Sequence, residues 1–216
     1  MFLAVSQGND GVAVLKNLRD EYQKLSSFSM NIEHHESSGL FPGNYKQSFA
    51  WSKGRFELRV TKTSDAKPEA GKPGSLAPDY FCDGKDVVSR QITGNTSTRE
   101  LNRDPNILPG YEVAGGMIVS WLLKSPNADM LFNPPKGFEV GYELGAQTRW
   151  HEMDAKELKI TIKSGGQGSD VRFLLSPDLK SLVGFEWKRE GKTGWAIYSD
   201  QKRDPKLSDT LGTFKG

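Results

Sequence analysis

The first hydrophobic pattern along the chain is helical. Between residues 11 and 25 the apolar side chains recur three and four positions apart, which places them in one stripe along a helix. The stripe consists of Val14, Leu15, Leu18, Tyr22 and Leu25. Asn9 and Asp10 precede it, and both residue types are favoured helix N-caps. The pattern predicts an amphipathic helix that begins near residue 10.

After this helix the period changes to two, which is typical of strands with one buried face. Three successive runs show the alternation: Phe28, Met30 and Ile32; Tyr45, Phe49 and Trp51; and Phe56, Leu58 and Val60. The intervening positions, such as Lys46 and Arg59, are mostly polar. These runs predict an antiparallel meander with one face in water.

Further strands are predicted on both sides of an exposed loop. Residues 64–78, SDAKPEAGKPGSLAP, combine prolines and glycines without any periodicity, which indicates a loop. The segments DYFCD and DVVSRQI follow, joined by an Asp-Gly turn, and a short strand is expected near residues 98–101. The last third predicts the strands FEVGYEL, AQTRWHEM, KELKITIKS, DVRFLLS, SLVGFEWKRE and GWAIYSDQ.

One segment in the middle of the chain is helical and unusually apolar. In PGYEVAGGMIVSWLLKS the helical spacing is carried by Tyr111, Ala114, Met117, Ile118, Trp121 and Leu122. Gly115 and Gly116 each weaken a helix by roughly 1 kcal/mol relative to Ala. The segment therefore predicts a helix that depends on packing and is able to move.

The order of these elements predicts an α+β fold. A large curved antiparallel sheet of about ten strands is expected to wrap the helices. Residues 10–216 form one domain, and residues 1–9 are expected to be a disordered terminus or the remnant of a secretory signal. No stretch approaches the roughly 20 apolar residues of a membrane-spanning helix.

Charge and cysteine content narrow the function classes. The 29 Lys and Arg against 27 Asp and Glu leave a net charge of +2, and the two signs are interspersed. Nucleic-acid binding needs a clustered basic footprint, so no nucleic-acid partner is expected. A single cysteine forms no disulfide within the chain, and this count does not define the redox compartment.

Candidate catalytic residues have structural explanations. Cys82 lies among Asp79, Asp83 and Asp86, whose carboxylates raise a thiol pKa, and it shares a strand face with Tyr80. We therefore expect a buried, unreactive cysteine, and we predict no catalytic residue and no cofactor.

The segment IEHHESS resembles a metal cluster but does not hold enough ligands. His34 and His35 are adjacent on a strand and point to opposite faces, so only His34 and Glu36 converge. Two ligands are too few for a zinc site, and we predict no metal. A hydrolase that uses His34, His35 or Glu36 is the least favoured alternative.

Several segments resemble the periplasmic lipoprotein-carrier superfamily, the LolA-like and LolB-like proteins. VLKNLRDEYQKLSSFSMNIEH resembles their first helix and first strand, YKQSFAWSKGRFELRV the paired strands that follow, and YFCDGKDVVSR their Asp-Gly hairpin. VAGGMIVSWLLKS stands where that superfamily has a helical lid. DPKLSDTLGTFKG resembles its closing segment, with Gly212 where an aromatic residue is more usual.

This resemblance implies an incomplete β-barrel, or half-barrel, with helices covering its concave side and a hydrophobic cavity for acyl chains. Residues 10–216 would then be one LolA-like domain. The residues assigned to the cavity are Met30, Ile32, Phe49, Trp51, Phe56, Leu58, Val60, Met117, Ile118, Trp121, Phe173, Phe185, Trp187, Trp195 and Ile197.

The leading hypothesis is a non-enzymatic periplasmic or secreted protein that binds a lipid or a lipidated protein in this cavity, with lipoprotein sorting or carriage as its role. Its partners would be acyl chains of a lipid or lipoprotein, together with membrane-associated proteins. The alternative is an interaction or envelope-stress sensor module of the same fold, with a solid core and no lipid ligand.

Overall fold

The computed structural model describes residues 7–37, 43–63, 79–93, 96–102, 118, 121–122, 131–165, 167–189 and 191–214. The helix α1 spans Gln7–Gln23. The strands are β1 Ser27–Glu36, β2 Gly43–Ser52, β3 Arg55–Thr63, β4 Asp79–Cys82, β5 Val87–Thr93, β6 Thr96–Asn102, β7 Phe138–Trp150, β8 Met153–Ser164, β9 Gln167–Leu175, β10 Leu182–Arg189 and β11 Lys192–Arg203.

The eleven strands of the described residues belong to one antiparallel sheet, in the order β6-β5-β4-β3-β2-β1-β11-β10-β9-β8-β7. Every neighbouring pair is consecutive in the chain except β1 and β11, which join the two ends of the sequence at the centre of the sheet. The order ends at β6 and β7, so the sheet is open. This arrangement confirms the predicted antiparallel sheet and fits a curved half-barrel.

One face of the sheet, here called the inner face, carries the main core. On β1 it presents Phe28, Met30 and Ile32, all at most 2% exposed. The outer face presents Asn31 and Glu33 between them, as strand alternation requires. The alternation that the sequence predicts for β1, β2 and β3 is therefore confirmed.

Helix α1 packs its apolar stripe against this core. Leu15, Leu18 and Tyr22 are fully buried in the same cluster as the inner face. A Cβ built at Gly11 would lie 3.0 Å from Tyr142 Cβ, so the helix backbone approaches β7 closely near its start. The helix begins at Gln7, so Asp10 lies in its first turn, where a carboxylate complements the helix dipole, rather than at the N-cap.

Tyr22 anchors the C-terminal end of α1 to the sheet through two hydrogen bonds. Its hydroxyl donates to Gln201 Oε1 at 2.8 Å and accepts from the Leu182 backbone N–H at 3.2 Å. Burial raises the pKa of Tyr22 to about 12, so the phenol stays protonated and keeps its donor. The two contacts tie α1 to β10 and β11.

The hairpin formed by β7 and β8 differs from the sequence prediction. FEVGYEL and the residues AQTRW of the next predicted strand form one strand, β7, with a bulge between Leu144 and Gln147. The turn falls at His151 and Glu152, which both adopt left-handed φ values of 43° and 66°. The predicted break at Gly145 is wrong, because a bulge absorbs an extra residue without ending a strand.

Part of the predicted central helix is described. Ile118, Trp121 and Leu122 are helical and buried in the main core. The rest of that helix, the loop at 64–78 and residues 1–6 lie outside the described residues. No described helix is long and apolar enough to cross a membrane.

Candidate functional site

The inner face is a continuous apolar surface that crosses both halves of the sheet. Side chains from β1, β2, β3, β9 and β10 form one buried cluster with α1 and the segment around Trp121. Of the predicted cavity residues, the cluster includes or directly packs against Met30, Ile32, Phe49, Trp51, Phe56, Leu58, Ile118, Trp121, Phe173 and Phe185. The structure therefore brings most of the predicted set together.

Two more members of the predicted set are half-buried on the same face. Val60 lies opposite Gln47, and Trp187 lies opposite Gly194. A Cβ at Gly194 would overlap the Trp187 indole, so the ring occupies the space next to the glycine. Met117 lies outside the described residues.

Trp195 and Ile197 lie on the outer face, not with the rest of the predicted cavity residues. On β11 the inner positions are Gly194, Ala196 and Tyr198, since Ala196 and Tyr198 pair with His34 and Ile32. Trp195 and Ile197 instead pack against a second cluster of Trp150, Ala155 and Leu174. Two inner residues of β11, Gly194 and Ala196, are small. At Gly194 the Trp187 ring occupies the space that a side chain would need.

The second cluster extends into partly exposed aromatic contacts that the sequence prediction did not include. The Trp195 ring stacks on His35 at 5.6 Å between centroids and lies 4.7 Å from the His151 ring. Trp150 Nε1 donates to Glu186 Oε1 at 2.6 Å. If the turn is placed at residues 151 and 152, Trp150 and Met153 fall on the outer face together with Trp195 and Ile197. This placement of the turn is the signal from which the cluster could be predicted.

Two polar side chains are buried on the inner face. His34 is 4% exposed and stacks on Tyr45, with 6.1 Å between ring centroids, and Gln47 is 2% exposed. Burial, assisted by the neighbouring His35, lowers the pKa of His34 to about 4, so its imidazole is neutral near pH 7. The apolar face therefore carries uncharged hydrogen-bonding groups.

Some polar atoms buried at the inner face make no hydrogen bond to any described residue. They include Gln47 Oε1, Trp51 Nε1 and Trp121 Nε1. A buried polar atom without a partner costs about 1–3 kcal/mol. The inner face therefore retains buried polar atoms without a hydrogen bond while Trp121 is packed against it.

The residues considered for catalysis do not assemble into a reactive site. Cys82 is fully buried, and burial, with the carboxylates of Asp83 and Asp86, raises the pKa of its thiol. His34 and His35 point to opposite faces of β1. Across the described ranges no group of three or more His, Cys, Asp and Glu side chains could hold a metal ion.

An open groove of about 480 Å³ lies near the centre of the sheet. It forms where β11 bulges, with Asp200 at a left-handed φ of 51° and its carboxylate accepting from Asn31 Nδ2 at 2.7 Å. Its lining includes Ser29, Ser48, Glu57 and Lys202. Met30, Phe49 and Ala50 also line it, but the charged side chains of Glu57, Asp200 and Lys202 do not suit an acyl chain.

The structure resembles solved proteins across almost its whole length. It matches the lipoprotein LppX of Mycobacterium tuberculosis with a TM-score of 0.51 and 8% identity, over 93% of this chain and 98% of that one. It matches LprF from Mycobacterium bovis with a TM-score of 0.53 and 10% identity, over 94% of this chain and 97% of the other. No protein-family profile and no curated protein sequence matches the chain.

At these identities the likeness shows the fold alone. The chain has the LolA/LolB-like fold, and the resemblance predicted from its sequence is confirmed at that level.

Proposed function

We propose that this protein is a non-enzymatic component of the cell envelope, or a secreted protein, that holds the acyl chains of a lipid or lipidated protein against its inner face. The observation that carries the proposal is the apolar inner face of an open sheet, covered by the helical residues Ile118, Trp121 and Leu122, where Trp121 Nε1 has no hydrogen-bond partner among the described residues. The fold shared with a lipoprotein supports a location in the envelope. Lipoprotein sorting or carriage, with membrane-associated partners, would be its role.

In the proposed mechanism, acyl chains replace the helical segment that covers the inner face. The sheet curves into a half-barrel, α1 covers one side, and the segment with Ile118 and Trp121 fills the concave side until acyl chains displace it. Complete burial of a large apolar side chain is worth about 1.5–3 kcal/mol, and each buried methylene about 0.8 kcal/mol. A chain of about ten methylenes therefore offsets the displacement of Ile118, Trp121 and Leu122.

Native mass spectrometry tests the proposal. Protein purified without detergent is mixed with fatty acids or lipopeptides of increasing chain length. We expect bound species whose affinity rises with chain length, because each methylene adds buried apolar area. The absence of any bound species would overturn the proposal.

A matched pair of variants tests whether acyl chains bind on the inner face. Val60→Glu introduces a carboxylate on the inner face, and Ile197→Glu introduces one at a half-buried position on the outer face. We expect Val60→Glu to weaken acyl binding at least about tenfold, because an unpaired charge is costly beside a hydrocarbon chain. Ile197→Glu should bind as the parent does, and equal losses in both variants would contradict this placement.

The alternative is an interaction module with a solid core. The complete burial of Ile118 and Trp121 is also what a permanently packed core would show, and the exposed His151 beside Trp195 offers a surface for contact with another protein. This alternative predicts no acyl species in the same mass spectra. It also predicts that Trp121 fluorescence is unchanged when lipids are added.

A further inference from the structure

The buried polar groups of the inner face lie beside one another at the centre of the sheet. Ile32 of β1 pairs with Gln47 of β2, and His34 is the next residue of β1 on the same face. Diagonal neighbours on adjacent strands lie about 7–8 Å apart at their Cα atoms, which long side chains span. One polar group of a ligand on this face can therefore reach both Gln47 and His34.

Gln47 has an unused acceptor. Its Oε1 is buried and receives no hydrogen bond from the part of the chain that the structure describes. The inner residues beside it on β2 are Tyr45 and Phe49, and its partner on β3 is Val60; none of the three donates a hydrogen bond to this oxygen. A plain hydrocarbon chain crossing this position would leave the oxygen unpaired, whereas a ligand donor would satisfy it.

The tryptophan indoles add the complementary group. Trp51 Nε1 on the inner face of β2 and Trp121 Nε1 on the covering segment are buried donors, again with no acceptor among described residues. An apolar pocket with a few placed polar groups binds a ligand whose own polar atoms match them. Trp51 stays on the sheet when the covering segment is displaced, and it lies four residues from Gln47 on β2, about 13 Å along the strand. A ligand oxygen that pairs with Trp51 Nε1 is therefore separate from the donor that pairs with Gln47 Oε1.

We propose that the acyl ligand carries a hydrogen-bond donor, an amide N–H or a hydroxyl, and that Gln47 Oε1 accepts this hydrogen bond. The inference rests on the proposed function, since it concerns the same face and an acyl ligand. Gln47 is then a specificity residue: N-acylated or hydroxylated chains bind in preference to a simple ester of equal length. His34 contributes a second polar contact beside it.

The test compares three probes of equal chain length: a primary fatty amide, a fatty alcohol and a fatty acid methyl ester. The ester has acceptors only. We expect the wild-type protein to bind the amide and the alcohol about tenfold more tightly than the ester, because only they satisfy Gln47 Oε1. Affinities are obtained from native mass spectra or from displacement of a fluorescent fatty acid.

Two variants test whether Gln47 Oε1 causes the preference for the amide and the alcohol over the ester. Gln47→Met keeps an unbranched side chain of similar length without the amide, so it should reduce the preference to about twofold or less while ester binding is retained. Ser48→Ala changes the next residue, on the outer face, and should keep the wild-type preference.

Each outcome is decisive. Equal wild-type affinity for all three probes, or a preference that survives Gln47→Met, overturns this inference and leaves acyl binding intact. Binding of no probe at all overturns the proposed function as well, so the two failures are distinguishable. The wild-type comparison decides by itself if the variant does not fold.

Discussion

His34 illustrates how burial changes the chemistry of a single residue. The sequence places it on a strand beside His35, but only the structure shows that it is 4% exposed and stacked on Tyr45. Its partners on the adjoining strands are Tyr45 and Ala196, neither of which bears a charge near neutral pH. Burial therefore favours the neutral imidazole.

This neutral state predicts a dependence of stability on pH. The pKa of His34 falls from 6.5 to about 4 in the folded protein, so between these values the unfolded chain binds the extra proton. The free energy of unfolding should therefore fall as the pH drops from 6.5 towards 4, by at most about 3 kcal/mol. Urea unfolding across this range measures the loss.

His34→Gln provides the control, because it removes the titrating group from the inner face. We expect the variant to lose less stability than the wild type over the same pH range. Parallel pH profiles for the two proteins would contradict the assignment to His34.

Gly212 stands where the LolA-like closing segment more usually has an aromatic residue, and the structure gives a steric reason for the glycine. Its φ is +75°, and a Cβ there would overlap the carbonyl of Cys82. Its N–H donates to Glu57 Oε1 at 3.0 Å, so the C-terminal tail crosses directly over β3 and β4. Only glycine fits this close approach.

We predict that Gly212→Ala releases the tail and exposes Cys82. Gly191→Ala is the control, because Gly191 has a φ of +78° but nothing within 4 Å of its Cβ position. The control should lose about 1–2 kcal/mol from left-handed strain alone, and Gly212→Ala clearly more. Chemical unfolding measures stability, and the rate of thiol labelling in native buffer should rise only in Gly212→Ala.

At the scale of elements, glycines inside strands make room for aromatic rings. Gly184 on β10 lies beneath the Trp150 ring on the outer face, and Gly194 on β11 lies beneath Trp187 on the inner face. Each pairing joins two strands through a large apolar contact that a side chain at the glycine would block. The sheet thus uses its glycines for packing across strands as well as for turns.

Gly184→Ala tests this packing. Its Cβ would overlap the Trp150 ring, so we expect a loss of about 1–3 kcal/mol in the free energy of unfolding. Gly168→Ala, on β9, is the control because its Cβ would meet nothing within 4 Å. Guanidinium unfolding should leave the control within about 0.5 kcal/mol of the wild type, and equal losses would contradict the packing argument.

The β7–β8 hairpin is the element that sequence reasoning misplaced. Tight two-residue hairpins favour Asn-Gly or Asp-Gly, since both central residues need positive φ. His151 and Glu152 adopt that conformation without either residue type. The local sequence gives no turn signal there, and packing of His151 against Trp195 supports the turn only in the folded sheet.

At the scale of the whole molecule, the two ends of the chain build one core. The β1–β11 pair joins the strands of the first half to those of the second, and residues from both halves belong to the same buried cluster. Phe28 lies at this junction, fully buried and 5.4 Å from the Tyr22 ring centroid. We therefore expect both halves to unfold together.

Phe28→Ala tests this coupling. The substitution should cost about 3–5 kcal/mol, because it leaves a cavity in the shared core. Hydrogen exchange should become faster by a similar factor in β2 and in β9, which lie on opposite sides of the junction. Phe138→Ala is the control, since Phe138 is 40% exposed, and faster exchange confined to one half in Phe28→Ala would contradict a single cooperative core.

The amino-acid sequence alone predicts the α+β class, the antiparallel meanders and the inner faces of β1, β2 and β3. These follow from local spacing, because apolar residues there alternate with polar ones and only one face can be buried. It also identified Cys82 as a buried residue beside an Asp-Gly turn.

The orientation of β11 depends on tertiary packing, because Trp195 and Ile197 alternate with Ala196 and Tyr198 along this strand. Both sets are apolar, so alternation alone does not say which one faces the core. The choice depends on neighbouring strands, which place Trp187 over Gly194 on one face and Trp150 over Gly184 on the other. The burial of Gln47 and Trp121 has the same origin, because it arises only when distant segments pack together.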